Sequence, residues 1–159
     1  MLRLSKNFTL REFTRSQTAL RLGIDNSPNS EQLVNLTALA NMCLQPIREK
    51  HGLVTINSGL RVLELNRAIG SGDNSGHVRG FCADIECPSI SNYELAKWIS
   101  ENLDFDQLIL EYPGPDPRDG WCHIGYKVDG SNRKMLLTAS RKEGKTVYDE
   151  GLNEYSKSE

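Results

Sequence analysis

The amino-acid sequence predicts an α+β fold, a small single domain in which helices flank a central antiparallel sheet. Helix patterns occupy the first third of the chain, and short alternating segments typical of strands follow, with one helix among them. The chain has 159 residues, of which 38% are hydrophobic and 25% charged. This length and composition suit one globular domain with its own core. We expect that domain to span residues 1–140 and a loose polar tail to span residues 141–159.

Helices are predicted first. Thr9 and Glu12 have the spacing of a capping box, so a short helix begins there. An amphipathic helix then ends near His51, with Pro46 expected to kink it. Its apolar stripe, with intervals of three and four residues, consists of Leu33, Leu36, Ala40, Cys43, Leu44 and Ile47.

The first strands surround another helical segment. Residues 54–57 are predicted to form a short strand, and residues 60–69 a helix that ends in a loop rich in Gly and Ser. Residues 81–87 alternate as a strand does. In that strand Cys82, Asp84 and Glu86 share one face. We therefore expect polar groups to line one side of the sheet at this point.

The second half of the chain completes the sheet. Ser91 and Glu94 form a capping box and begin a helix that runs to about Leu103. Two strands, residues 106–112 and 121–126, are joined by a turn-rich segment, which favours a hairpin. A last strand is predicted over residues 132–139.

Three residues are candidate metal ligands: His77, Asp84 and His123. Two imidazoles and one carboxylate can hold a zinc ion and leave a fourth position for water, as catalytic zinc sites do. Asp84 and His123 lie in predicted strands, and Gly80 would permit the tight turn that brings His77 close. If the three converge, the sequence predicts a metallohydrolase with one zinc ion.

Such a hydrolase also needs a general base. In a hairpin centred near Asp116, Glu111 lies opposite Trp121 and on the same face as His123, within reach of the metal. A solvated carboxylate at a strand end fits the pattern equally well. Asp119 is the rival base, although a turn-forming role also explains it. We rank Glu111 first.

Arg61 follows a strand and a turn, a place where functional side chains project. Its guanidinium could hold a substrate carboxylate or carbonyl through a forked contact, and a surface arginine at a helix start is the alternative. We expect His51 to cap a helix dipole rather than bind metal. The spacing of the four cysteines favours buried, reduced thiols over a cysteine zinc site.

Composition excludes other classes of partner. The net charge of −2 provides no basic field for nucleic acid or an anionic membrane. No apolar stretch approaches the ~20 residues that span a bilayer. The first residues lack the apolar segment of a secretory signal, so we expect synthesis in the cytoplasm without a signal peptide.

Five motifs, taken in order, resemble those of the M15 peptidases, zinc D-Ala-D-Ala carboxypeptidases and peptidoglycan endopeptidases that include many phage endolysins. The resemblance spans about residues 8–126. The motifs are Ser58-Gly59-Leu60-Arg61, Leu65-Asn66-Arg67, Ser75-x-His77-x-x-Gly80-x-x-x-Asp84, Asp106-Gln107-Leu108-Ile109-x-Glu111 and Trp121-x-His123-Ile124.

The resemblance implies the small α+β fold shared with the hedgehog signalling domain. It implies zinc bound by His77, Asp84 and His123, with Arg61 and Ser75 as substrate-binding residues and Arg61 beside the developing oxyanion. Many family members carry a catalytic Glu three residues before the second His ligand, where this chain has Gly120. The phage-type branch of the family suggests Glu111 instead.

The expected function is therefore zinc-dependent hydrolysis of a peptide bond in the peptidoglycan stem peptide by a monomeric, phage-type endolysin. Such an enzyme would act in the cell wall after release by a holin, and it would need neither nucleic acid nor membrane insertion. Two alternatives stay open at this point. One is a D-Ala-D-Ala carboxypeptidase or dipeptidase acting on small substrates. The other is an inactive zinc-containing module that binds the wall or builds a phage structure.

Overall fold

The computed structural model describes residues 1–155, which form seven α-helices, one π-helical segment and six β-strands. The helices are α1 (Leu10–Thr14), α2 (Gln17–Leu22), α3 (Ser30–Leu39), α4 (Gln45–His51), α5 (Leu63–Ala68), α6 (Gly76–Arg79) and α7 (Asn92–Asn102). The strands are β1 (Thr55–Ser58), β2 (Cys82–Glu86), β3 (Gln107–Glu111), β4 (Trp121–Gly125), β5 (Met135–Lys142) and β6 (Lys145–Glu150). The predicted α+β class is confirmed.

One mostly antiparallel sheet joins the strands in the order β1-β2-β4-β3-β5-β6. Its centre is antiparallel as predicted, whereas β3 and β5 pair in parallel. β2 and β4 are neighbours, which places Asp84 opposite His123. In the β3–β4 pair, Glu111 lies opposite Trp121, so the predicted register of this hairpin is confirmed.

The two faces of the sheet have different roles. Alternate strand residues, including Ala83, Ile85 and Ile124, pack with the helices in the hydrophobic core. The side chains of the residues between them project from the opposite face, and they include Asp84 and His123. That opposite face carries the polar groups discussed below.

The long helix predicted around Pro46 is divided by a π-helical segment, Ala40–Leu44. The Gln45 N–H donates to the Ala40 carbonyl, five residues earlier, immediately before Pro46 in α4. Proline has no N–H and its ring crowds the preceding turn of an α-helix. The wider π turn relieves this conflict, so the expected kink takes the form of a local widening.

The end of the chain differs from the prediction. Residues after Arg141 were expected to be loose, but Lys145–Glu150 form β6 and pair with β5. A tight turn joins the two strands through Glu143 and Gly144, both with positive φ (52° and 76°) as a type I′ hairpin turn requires. The expectation of looseness is wrong for this strand. It also covered residues 156–159, which lie outside the described residues. Within residues 1–155, no helix has both the length and the apolar character needed to cross a membrane.

Candidate metal centre

His77 is held in a defined tautomer at the start of the site. It lies in α6 and its side chain is 3% exposed. Its Nδ1 is 2.7 Å from the Gly59 carbonyl oxygen. Because a carbonyl can only accept, Nδ1 carries a proton, and in the neutral ring Nε2 is the nitrogen whose lone pair can bind a metal. That Nε2 lies 3.5 Å from Oδ2 of Asp84. A backbone carbonyl orienting the second ring nitrogen is typical of metal-binding histidines.

Local backbone geometry brings this helix to β2. The Ser75 hydroxyl caps α6 by accepting from the His77 N–H at 3.3 Å. Gly80 ends the helix with φ of 77°, and an added Cβ there would lie 2.9 Å from the Gln32 carbonyl oxygen. The tight turn predicted at Gly80 is therefore present. Ser75, predicted to bind substrate, lines the cleft while also capping the ligand helix.

Asp84 contacts both imidazoles. Its Oδ1 is 3.0 Å from Nδ1 of His123, its cross-strand partner, and its Oδ2 faces His77. The centroids of the two imidazole rings are 5.2 Å apart. The structure thus brings together the three residues that the sequence singled out, with the carboxylate between the two rings.

Two sets of three potential ligand atoms lie within 4.8 Å of one another: His77, Cys82 and His123, and Asp84, Glu111 and His123. The predicted triplet is divided between these sets, which share His123. The nitrogen and oxygen donors suit zinc, and the free Nε2 of His77 aimed at a buried carboxylate fits a cation between them. Sequence reasoning missed Cys82 at this position. Its place on the same strand face as Asp84 was the available signal.

In this cluster the interactions between neighbouring ionisable groups shift the pKa values more than burial does. Burial alone would lower the pKa of His77, but Cys82 and Asp84 raise it to about 9. Burial alone would raise the pKa of Cys82, but the two histidines lower it to about 6. The pKa of Asp84 lies well below its usual range, despite burial, because both histidines hydrogen-bond to it. These opposite shifts follow from the short distances between the two imidazoles and the acidic side chains of β2.

The Glu111 side chain extends from β3 to the candidate ligands Asp84 and His123. Its Oε2 accepts a 2.6 Å hydrogen bond from Nε1 of Trp121. Burial, followed by the nearby Asp84 carboxylate, raises the pKa of Glu111. Asp119, the rival base, lies in the loop between β3 and β4. There its Oδ2 accepts a hydrogen bond from the Asp116 N–H at 3.1 Å, and the residue lines a different depression of the surface. The structure therefore brings Glu111, and not Asp119, to the candidate ligands.

Arg61 lies beside the cluster, and hydrogen bonds hold both its backbone and its guanidinium in place. Its Nε donates to Asn66 Oδ1 at 3.1 Å, its Nη1 donates to Ser58 Oγ at 3.3 Å, and its backbone N–H donates to the His77 carbonyl at 3.0 Å. The fully buried Asn66 is itself held by donating to the Gly72 carbonyl. Arg61 is thus positioned on the cleft wall.

A cleft of about 370 Å³ runs over these groups. Arg61, Ser75, Glu111 and Trp121 line it, together with Tyr148 of β6. Tyr148 was missed because the sequence placed it in a loose tail. A second recess, of about 430 Å³, adjoins the cleft, and His123 lines both.

Gly120 has a conformation that other residues cannot adopt here. Its φ is 76°, and an added Cβ would overlap the Glu111 carbonyl oxygen and lie 2.7 Å from that of Tyr112. A glutamate three residues before His123 therefore cannot be accommodated by this backbone. The path of the chain explains why the carboxylate at this site comes from β3.

The remaining histidine and cysteines lie away from this cluster. His51 ends α4, as expected, and its ring packs edge-on against Trp98 with centroids 4.8 Å apart. Cys43, Cys87 and Cys122 lie in the hydrophobic core. Like Cys82 they are buried and free, as predicted.

Comparison of the sequence with known proteins identifies a match to one protein family. A family model described as Peptidase M15 matches residues 6–125. The matched segment contains the five residues that the structure gathers at the cleft, Arg61, His77, Asp84, Glu111 and His123. A comparison with curated proteins gave no significant match.

Proposed function

This chain belongs to the peptidase M15 family of zinc metallopeptidases, and from that premise we propose that it hydrolyses a peptide bond in the stem peptide of bacterial peptidoglycan. The observation that carries the proposal is the juxtaposition of a His77–Asp84–His123 cluster with Glu111 and Arg61 on one cleft wall. The three ligands would hold one zinc ion through His77 Nε2, the Asp84 carboxylate and His123.

A zinc ion held by these residues would supply Lewis-acid chemistry, namely polarisation of the scissile carbonyl and acidification of water. Glu111 accepts the proton of the attacking water and delivers it to the leaving amine nitrogen. The Trp121 N–H holds one oxygen of the Glu111 carboxylate, which leaves the other for the water. Its raised pKa makes Glu111 a better proton acceptor than an ordinary surface carboxylate.

Arg61 acts on the other side of the scissile bond. Its guanidinium is anchored by Asn66 and Ser58 and lies on the wall of the same cleft. A preorganised cation stabilises the negative charge that develops on the carbonyl oxygen as water adds. Ser75 would assist by binding the substrate backbone near the cap of α6.

The shape of the surface favours an endopeptidase over a carboxypeptidase. The cleft and the adjoining recess share Asn74, Gly76, Gln107 and His123, so concave surface extends on both sides of the candidate metal ligand. An extended substrate can occupy both sides, whereas a small dipeptide needs only one. Arg79 and Lys127 line the recess together with Asp73 and the Asp106–Arg133 pair, and the two cations suit the free carboxylates of a stem peptide. These features support an endopeptidase, and a phage-type endolysin is the form of it that we propose.

The test is mass spectrometry of the fragments released from purified peptidoglycan by the zinc-loaded protein. We expect internal stem-peptide bonds to be cut, each product pair carrying one added water. Release of terminal D-alanine alone would replace the proposal with the carboxypeptidase. No turnover by protein that holds one zinc ion per chain would overturn the peptidase proposal and favour a binding module.

A further inference from the structure

We propose that Tyr148 binds the leaving portion of the peptide, the residues that follow the scissile bond, and makes the enzyme prefer substrates that continue past that bond. This role rests on the proposed function and deepens it, because one end of the cleft is assigned to one part of the substrate. The family match ends at residue 125, so membership of the family does not by itself predict a role for this side chain.

Strand pairing places Tyr148 in one row with the proposed base. Glu111 of β3 pairs with Ala139 of β5, and Ala139 pairs with Tyr148 of β6. Paired residues of neighbouring strands project from the same face of a sheet, and both Glu111 and Tyr148 line the cleft. The residue between them is an alanine, whose single methyl group is too short to separate the two longer side chains.

The cleft crosses the sheet, with Arg61 towards one edge and Tyr148 towards the other. Arg61 follows β1, the first strand in the sheet order, and Tyr148 lies on β6, the last. The candidate ligands of β2 and β4 and the Glu111 carboxylate of β3 lie between these two ends. Tyr148 is therefore beyond Glu111 as seen from the metal ligands, and Arg61 is on their other side.

This order identifies the part of the substrate that reaches Tyr148. Glu111 is proposed to deliver a proton to the leaving amine, so the chain that continues from that amine passes Glu111 on the side away from Arg61. The recess adjoins the cleft at His123 and is left for the part of the substrate before the bond.

Strand spacing sets the distance between the base and the proposed contact. Neighbouring strands lie about 4.8 Å apart, so β6 is about 10 Å from β3, a span that about three extended peptide residues cover. The tyrosine side chain reaches back over part of this span. We therefore expect Tyr148 to contact the peptide about two residues past the scissile bond.

The hairpin holds Tyr148 in place and leaves it accessible. Thr146, two residues earlier on the same face of β6, shares a 2.7 Å hydrogen bond between its hydroxyl and that of Tyr112, which follows β3. Tyr148 is 54% exposed, so a ligand can reach its ring. Partial burial, and then the negative charge of Glu111, raise the pKa of Tyr148. The phenol thus stays protonated and can donate to a backbone carbonyl of the peptide.

Two synthetic stem peptides test the assignment once the cleaved bond is known from the peptidoglycan fragments. They share the sequence before that bond, and the long one continues for three residues after it, the short one for a single residue. We expect Tyr148→Ala to lower the ratio of kcat/KM for the long peptide to that for the short one about tenfold. Tyr148→Phe should lower the ratio by a smaller factor, because phenylalanine loses only the hydrogen bond.

Val147→Ala is the matched control, since Val147 lies on the same strand with its side chain on the opposite face. It should leave the ratio at the wild-type value. An unchanged ratio in Tyr148→Ala would overturn the inference, as would an equal fall in Val147→Ala. If circular dichroism shows that Tyr148→Ala is unfolded, Tyr148→Phe decides by the same criterion.

Binding of a complete stem peptide separates this inference from the proposed function. Titration calorimetry with zinc-loaded Glu111→Gln, alone and combined with Tyr148→Ala, measures affinity without turnover. Weaker binding by the double variant, with no hydrolysis by wild type, supports the role of Tyr148 and removes the peptidase. Hydrolysis by wild type, with equal affinity in the two variants and an unchanged ratio, keeps the peptidase and removes the role of Tyr148. Neither hydrolysis nor a difference in affinity would overturn both.

Discussion

Trp121 Nε1 donates a 2.6 Å hydrogen bond to Oε2 of Glu111, directly across the β3–β4 pair. The bond joins the end of one strand to the start of the next, beside the candidate metal ligands. It fixes the carboxylate through one oxygen, and the other oxygen has no hydrogen-bond partner among residues 1–155. The orientation of the proposed base therefore depends on an indole from the neighbouring strand.

Trp121→Phe should lower kcat by about tenfold to a hundredfold, because a hydrogen bond to a charged group contributes roughly 1.5–3 kcal/mol. Phenylalanine keeps the ring that packs against Tyr112, whose centroid is 5.5 Å away. KM should change little, since the indole does not itself bind the reacting atoms. Steady-state kinetics on a soluble stem-peptide substrate measures both constants. An unchanged kcat would show that the bond has no part in orienting Glu111.

Glu111→Gln should retain zinc and lose activity by a factor of about 10²–10⁴, the usual contribution of a general base. The amide is isosteric but cannot accept the proton. Asp119→Asn is the matched control, because the rival carboxylate lies in the loop and lines a different depression. It should keep near-normal activity. Full activity in Glu111→Gln would remove Glu111 as the base.

His77→Ala should lose zinc, measured by elemental analysis after dialysis against a weak chelator. The substitution removes the one ring nitrogen that the Gly59 hydrogen bond leaves free for the metal. His51→Ala serves as the control, because His51 ends α4 and packs on Trp98. Of the three histidines, it should be dispensable for zinc. Unchanged zinc content in His77→Ala would contradict the proposed ligand set.

Much of this arrangement was accessible from sequence because it depends on local patterns. The alternation of β2 and the hairpin spacing placed Asp84, Glu111 and Trp121 on the correct faces, and the β3–β4 register followed from the centre of the turn. These features depend on residues close together in the chain.

Features set by contacts distant in sequence were not accessible. The parallel pairing of β3 with β5 joins segments that no turn connects directly, so nothing local encodes its register. β6 is polar and mostly exposed, and the Glu143-Gly144 turn before it is a weaker signal than Asn-Gly. Cys82 was recognised as buried, but only the convergence of two strands and α6 shows that it faces imidazoles.

Gly120→Ala should destabilise the protein by about 2 kcal/mol or more, because strain at positive φ adds to the overlap with a backbone carbonyl. Gly130→Ala is a matched control: its φ is 83°, and an added Cβ meets no atom within 4 Å. That control should show only the φ penalty, about 1 kcal/mol. Thermal denaturation compares the two. Equal losses would mean that the backbone at Gly120 relaxes.

The Asp106–Arg133 pair should make stability pH-dependent. Despite the opposing effect of burial, the hydrogen bonds from Arg133 hold the pKa of Asp106 below its usual range. The folded pKa thus lies below the unfolded value of about 3.9, so the pair contributes stability above that pH. This contribution is lost as pH falls through the folded pKa. Urea denaturation between pH 6 and about 3 should show a steeper decline for wild type than for Arg133→Gln.

Arg67→Gln is the control for that comparison. The Arg67–Asp73 pair is exposed, with side chains 62% and 52% accessible, and such pairs contribute little. Its acid profile should follow that of wild type. Parallel profiles for Arg133→Gln and wild type would show that Asp106 is not stabilised by its partner.

The β5–β6 hairpin lies beyond the residues matched by the family and carries none of the proposed ligands, yet its Tyr148 forms part of the cleft wall. It is attached to β3 by strand pairing, and a 2.7 Å hydrogen bond joins the hydroxyls of Thr146 and Tyr112. One part of the cleft wall is thereby supplied by a stretch of chain separate from the candidate ligands. In the proposed peptidase, exchanging the hairpin for another would change that part of the wall while the ligands, Glu111 and Arg61 stay in place, so peptide preference would be free to vary there without loss of the bond-breaking residues.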